Sequence, residues 1–295
     1  MRKQFKNTVL SLAEHDPNII VILGDISHYL FNDFEQKYPE RFFNMGICEN
    51  ALVSVAAGLS AQGFHPFVHS ICPFITERSF EQIKLDMCYN QFGGNLVTCG
   101  ASFDYAWDGG THHSYTDLAI LRLLPFMEVL QPGSVKEVDA LIRSQYNNGK
   151  TTYFRLSDNP HTIDLPEIKF GKGIVLKKGN SKVTVMTAGP ILGNVLEGCR
   201  DLDVNLVYFH TLKPIDHELI AHFKDTQIVV IHDAFGLKEA VSEVAGLSVD
   251  SRGLPDEFCG WYGTVHDIRK KLGLDPASIR DFVNSKIQKI DAVLT

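Results

Sequence analysis

No apolar run in this sequence reaches the roughly 20 residues needed to cross a bilayer, so no membrane-spanning helix is expected. Positive charge is not in excess either. The formal net charge is −7, which argues against nucleic acid or an anionic membrane as the main partner. Cysteine is present without pattern: Cys48, Cys72, Cys88, Cys99, Cys199 and Cys259 form no C-x-x-C pair and no zinc spacing. They read as reduced thiols of a cytoplasmic protein, with no resident metal. Glycine-rich phosphate loops are missing too, since neither G-x-G-x-x-G nor G-x-x-x-x-G-K occurs. The opening Met1-Arg2-Lys3-Gln4-Phe5 enters a helical pattern with no apolar signal core. What remains is a chain of 295 residues, 44% hydrophobic and 21% charged, the composition of an ordinary globular protein with room for about two domains.

Strand and helix patterns alternate from the start. A helix at about 4–15 precedes Ile19-Ile20-Val21-Ile22-Leu23, a β-branched run of the kind buried in a parallel sheet, which ends at Gly24-Asp25. Further strands are expected at 41–45, 65–69, 95–99, 127–130 and 152–155, with helices near 31–38, 51–59, 74–90, 116–122 and 135–146. Residues 158–172 carry two prolines and no clear period, and are assigned as a linker. A second series follows, with strands at 182–187, 206–209 and 228–231 and helices near 265–272 and 276–290. The expectation is an α/β protein of two doubly wound domains, 1–160 and 170–295, with mainly parallel sheets.

Three places stand out chemically. Gly46-Ile47-Cys48-Glu49-Asn50-Ala51 sets one carboxylate at the mouth of a helix whose small and apolar residues run all round it. Glu49 either helps cap its own helix or waits for a ligand nitrogen; burying it with no partner would cost several kcal/mol. The loop Asp108-Gly109-Gly110-Thr111-His112-His113 lets backbone approach a ligand closely and offers an imidazole for proton transfer. It could equally be a polar loop. A metal site fits it poorly, because adjacent histidines on an extended segment point apart. Gly24-Asp25-Ile26 follows a buried strand, where α/β sheets bind ligands, and Phe74 either packs in the core or stacks on a flat heterocycle. Asp216, in Lys213-Pro214-Ile215-Asp216, reads as a helix N-cap.

Taken in order, Gly46-Ile-x-Glu49, Phe74 with Arg78, Asp108-Gly-x-Thr-His112 and Leu121-Arg122-x-x-Pro125 resemble the pyrimidine-binding domain of transketolase and 1-deoxyxylulose-5-phosphate synthase. Gly171-Lys-Gly-Ile-Val175, Lys213-Pro-Ile-Asp216 and Gly253-Leu-Pro-Asp-x-Phe258 resemble the same family's C-terminal domain. The resemblance implies thiamine diphosphate as cofactor. Glu49 would bond the pyrimidine ring nitrogen, which would explain a buried carboxylate without a protein cation. Phe74 would stack on the pyrimidine, Ile26 would hold the bent cofactor, and Asp25 and Arg78 would lie nearby. His112 would donate a proton to a substrate oxygen, Asp108 would bind a substrate hydroxyl, and His113 is a further substrate contact.

The family also carries a Gly-Asp-Gly motif that holds the diphosphate through Mg²⁺, and Gly24-Asp25-Ile26 lacks its second glycine. The resemblance therefore implies the C-terminal half of a split transketolase, with a partner subunit carrying the diphosphate and Mg²⁺ site in an α2β2 assembly. The rivals are a 2-oxoacid dehydrogenase β subunit, a deoxyxylulose phosphate synthase-like enzyme and an inactive interaction subunit. The family grips a sugar phosphate with two arginines, a serine and a histidine. One arginine matches Arg2; the other falls on Ser157, the histidine on Gly100 and the serine near Tyr29. Arg155 would substitute only if its strand continued regularly to Ser157. The expectation is that at least one substrate lacks the usual terminal phosphate and enters a mouth widened by Gly100.

Overall fold

The computed structural model describes residues 1–246 and 249–294. The first half opens with α1 (Arg2–Ala13), whose buried Phe5, Val9 and Ala13 fall one helical turn apart and face the sheet. The run Ile19–Leu23 becomes β1, buried along its whole length, as expected of a strand covered on both faces by helices. The chain continues through α2 (Asn32–Lys37), β2 (Phe42–Asn44), α3 (Glu49–Ala61) and β3 (His65–Ile71). Next come α4 (Cys72–Thr76), α5 (Phe80–Gln82), β4 (Gly94–Cys99), α6 (Asp117–Arg122), β5 (Met127–Leu130), α7 (Val135–Gln145) and β6 (Thr151–Arg155).

The second half contributes β7 (Ile174–Lys177), β8 (Val183–Ala188), α8 (Leu192–Gly198), β9 (Asn205–Phe209) and β10 (Thr211–Lys213). It then runs through α9 (His217–His222), β11 (Gln227–Ile231), α10 (Leu237–Ala245), β12 (Asp250–Arg252), α11 (Val265–Lys271) and α12 (Pro276–Leu294). Asp216 caps α9, accepting from Leu219 N at 3.1 Å.

The first sheet has the order β10-β5-β6-β4-β3-β1-β2 and the second β12-β11-β8-β9-β7. Both are parallel except at one edge strand each, β10 against β5 and β7 against β9. The α/β architecture with mainly parallel sheets is therefore as expected. One boundary is not: β10 comes from beyond the linker and pairs with the first domain's sheet, Thr211 opposite Leu130 and Lys213 opposite Val129. The expected single helix over 74–90 is also broken. Helix α4 ends at Thr76, and after α5 the backbone widens into a π-helical stretch, Ile83–Tyr89.

Beside β1 the direction of strand addition reverses, with β2 on one flank and β3 on the other. The carboxyl ends of β1 and β3 therefore splay outward, and the crevice between them is where open α/β sheets receive ligands. One apolar cluster runs under it from Ile22, Leu52 and Val68 to Met186, Val207 and Val230 of the second sheet, so the two sheets share core. Among the described residues no helix is long and apolar enough to cross a membrane. The six cysteines are free thiols.

Candidate active site

The crevice has a volume of about 140 Å³ and is lined by Gly24, Asp25 and Ile26 after β1, Ile47 and Glu49 at the start of α3, and Ser70, Ile71 and Phe74 after β3. Gly24 lets the two strand ends close up: a Cβ there would stand 3.0 Å from Leu52 and 3.1 Å from Ser70 Oγ. Glu49 is the first residue of α3 and only 1% exposed. Its carboxylate does not turn back to cap the helix. Ser70 Oγ donates to Oε1 at 2.8 Å, and Arg78 Nη1 donates to Oε2 at 2.8 Å. The expectation of a buried carboxylate with no protein cation is thus corrected. Arg78 reaches in from the rim, 46% exposed, because the break after α4 frees its backbone, whose carbonyl accepts from Asn50 of α3 at 3.0 Å. A buried charge needs such a partner, since an unpaired one costs several kcal/mol.

The same guanidinium lies 4.4 Å from the centre of the Phe74 ring, so Phe74 is a half-buried wall of the crevice rather than core. The His112 ring meets Phe74 edge-on at 5.2 Å. Thr111 Oγ1 lies 2.9 Å from His112 Nδ1, which leaves the Nε2 edge for a ligand. Asp108 stands exposed in the turn leading to His112, so Glu49, Phe74, Arg78 and His112 form one linked group with Asp108 at its margin.

Asp25 and Ser27 both adopt left-handed backbone, φ 68° and 64°, with Ile26 between them. Non-glycine residues in that region cost of order 1 kcal/mol each, and hydrogen bonds on both sides hold them there. Asp25 N–H donates to Asn44 Oδ1 at 3.0 Å, while Asn44 Nδ2 donates back to Asp25 Oδ1 at 3.2 Å. Ser27 Oγ lies 3.0 Å from Nε2 of His69, a fully buried ring whose pKa burial pulls down to about 4. The double kink delivers Ile26 to the crevice wall. Ser70, Asn44, Ser27 and His69 were not expected as site residues. The clustering of serine, histidine and asparagine at three strand ends was the only available signal.

Arg2 is not free. Its Nε and Nη2 donate to the two oxygens of Asp158 at 3.2 and 3.1 Å, and Nη1 reaches Ser27 Oγ at 3.4 Å. Ser157 turns to Asp104 Oδ1 at 2.9 Å, and burial pushes the Asp104 carboxyl above its ordinary range. The mouth is not widened at Gly100. A Cβ there would come within 2.5 Å of the Tyr105 ring, which fills the space and bonds Cys99 Sγ at 3.4 Å.

Two expected substrate contacts lie elsewhere. Arg155 is fully buried, donating to Asp117 Oδ2 at 2.7 Å, Ser114 carbonyl at 2.6 Å and Ser102 Oγ at 3.1 Å, which puts the guanidinium out of a substrate's reach. In a strand covered on both faces, alternation chooses between two interiors and offers no open side. His113 also turns inward. Its Nδ1 lies 3.0 Å from the Cys259 carbonyl of the second half, its ring packs on Phe103 at 5.1 Å, and burial lowers its pKa.

Residues 1–160 match the family of transketolase pyrimidine-binding domains. Over nearly the whole chain there is 29% identity to a protein of Methanocaldococcus jannaschii described as a putative transketolase C-terminal section, covering 98% of this chain and 96% of that one. A protein of Phocaeicola vulgatus described as one of the subunits of an apulose-4-phosphate transketolase is 28% identical, covering 94% of each. Among solved structures, one described as a split gene transketolase, inactive beta4 tetramer, superimposes with a TM-score of 0.85 at 29% identity over 97% of both chains.

Proposed function

This chain belongs to the transketolase family through its pyrimidine-binding domain, and from that premise we propose that it is one half of a heteromeric, thiamine diphosphate-dependent enzyme that moves a two-carbon ketol unit from a ketose to an aldehyde. One observation carries the reading: Arg78, bonded to Glu49, and His112 both lie against the Phe74 ring. The crevice suits an aminopyrimidine, which is flat, apolar on its faces and protonatable at one edge. Ile26, Ile47, Ile71 and Phe74 supply the faces and Glu49 the edge. When bound, the cofactor supplies the carbon nucleophile that breaks and forms the carbon–carbon bonds.

This chain's own residues do the rest. Ser70 and Arg78 hold one oxygen each of Glu49, fixing the carboxylate so that it shares a proton with the pyrimidine ring nitrogen. Phe74 covers the ring, and Ile26 buttresses it from the kinked turn. Asp25 carries that kink. His112 Nε2 gives a proton to the substrate oxygen that develops charge, and Asp108 accepts a substrate hydroxyl. Among the described residues no group of three His, Cys, Asp or Glu could hold a metal. On this reading Mg²⁺ and the diphosphate are held by the partner subunit in an α2β2 assembly. The descriptions of the relatives as a C-terminal section, one of several subunits and a split gene product support that division.

On the substrate side, an anion approaching Arg2 would have to displace Asp158 and would meet a second carboxyl at Asp104. That arrangement favours a substrate end bearing hydroxyls over one bearing a phosphate, because a charge-assisted arginine grip needs an unoccupied guanidinium.

The test is the chain reconstituted with its diphosphate-binding partner and offered phosphorylated and unphosphorylated ketoses and aldoses, alongside 2-oxoacids. Glu49→Ala is expected to lower turnover by several orders of magnitude, roughly 10³-fold or more, without unfolding the chain. Activity within about tenfold of wild type would overturn the role of Glu49. Turnover of 2-oxoacids alone would assign a dehydrogenase subunit instead. A strong kcat/KM preference for sugar phosphates as both donor and acceptor would overturn the unphosphorylated substrate.

A further inference from the structure

The loop that carries Asp108 and His112 is closed at its base within the first domain, where Ser114 N–H donates to the Ser102 carbonyl at 2.9 Å. Its inner turn depends on Gly109, at φ 73° and ψ −160°, a conformation open in practice only to glycine. The Gly109 carbonyl accepts from both His112 N–H at 3.0 Å and His113 N–H at 3.2 Å, so the place of His112 follows directly from the place of Gly109.

What holds Gly109 comes from the other domain. It is buried although Asp108 and Gly110 beside it are exposed. The cover is the Tyr262 ring: a Cβ on Gly109 would fall 2.5 Å from Tyr262 Cε1. Tyr262 is itself 70% exposed, so the ring covers the glycine from the surface and is not rooted in the core. Three residues earlier, the Cys259 carbonyl lies 3.0 Å from His113 Nδ1. The segment Cys259–Tyr262 therefore grips the loop at two adjacent points, one on each side of His112 in sequence.

We infer that Tyr262 and the Cys259 carbonyl are positioning contacts: the second domain sets the position of the His112 loop, and through it the edge-on approach of His112 to Phe74. The functional part of this rests on the proton-donor role of His112 given above; the positioning part stands on geometry alone. Tyr262 does not line the crevice and acts through Gly109.

Hydrogen exchange on the full chain separates the two parts. In Tyr262→Ala the amides of His112 and His113 are expected to exchange about tenfold faster or more, as a local opening would produce, while β4 and β11 keep their wild-type rates. Tyr262→Phe, which keeps the ring, is expected to restore protection. In the reconstituted complex Tyr262→Ala should lower kcat about tenfold with the donor KM within about twofold, and Tyr262→Phe should recover it, because a displaced proton donor slows the reacting step more than binding. Unchanged exchange at both amides overturns the inference, as does equal loss in the Ala and Phe variants. If exchange responds while no ketose is turned over by the wild-type complex, the positioning stands and the transferase reading fails.

Discussion

Both sheets end their parallel strands in polar residues, and the two sets are used in opposite ways. At the carboxyl edge of the first sheet stand Asp25 in strained backbone, Glu49 with Arg78 at the rim, and His112 with an unengaged edge. At the carboxyl edge of the second sheet His232 and Asp233 occupy the corresponding place after β11, and both are consumed. His232 bonds the Ala234 carbonyl at 2.8 Å and the Gln131 side chain at 2.9 Å. Asp233 accepts from Ser102 Oγ at 2.9 Å and from Arg269 at 2.8 Å. Burial alone would raise the Asp233 pKa, but the Arg269 charge and its hydrogen bonds bring it down to about 2. One architecture thus yields an open crevice in one domain and an inter-domain joint in the other. The fold supplies the place and the side chains decide its use.

The contrast can be broken at its two histidine-bearing edges. His112→Ala should lower kcat of the reconstituted complex by roughly 10²- to 10⁴-fold, the range for a lost proton donor. Thermal unfolding should shift by less than about 2 °C, since the ring is only part-buried on an exposed loop. A stability loss as large as the activity loss would place His112 with the structural group. Asp233→Ala should do the reverse. It strands Arg269, 12% exposed, beside a buried serine, and breaking such a pair costs about 3–5 kcal/mol, or a fall in Tm of about 5–8 °C. Calorimetry showing an unchanged Tm would contradict the joint.

A smaller effect sharpens the comparison through pH. His69, beneath the kinked turn, is buried with its pKa near 4 instead of 6.5. The unfolded chain therefore binds a proton that the folded chain refuses as pH falls from 6.5 towards 4. The stabilisation is complete above about 6.5 and is lost across that window, by at most about 3 kcal/mol for this one group. Burial shifts His113, His210 and His232 in the same direction. In denaturant titrations at several pH values, His69→Asn should flatten part of the slope of stability between pH 4 and 6.5. An unaltered slope would remove His69 from the account.

Much of the first sheet could be read from the chain itself. The uninterrupted Ile19–Leu23 announces a strand buried on both faces, and the small residues after Glu49 announce an interior helix. The Arg78–Glu49 pair could not be read, because the 28 residues between them cross a strand and a helix break and leave no periodic trace. The need of a buried carboxylate for a partner was legible, but that partner was assigned to a ligand nitrogen and Arg78 only to the cofactor's surroundings. Arg155 was misread because alternation along a strand says which face a side chain takes and not whether that face is open. Gly100 misled for a related reason, since an absent side chain makes room that a neighbour, here Tyr105, can fill.

Strand β10 gives the order of synthesis a structural meaning. The outer edge of β5 stays unpaired until Lys213 has been translated, well after the last residue of the pyrimidine-binding match at 160. A gene cut between the two domains would release a first fragment with a bare strand edge, the kind of edge that recruits a stranger. Kept on one chain, the second domain covers that edge.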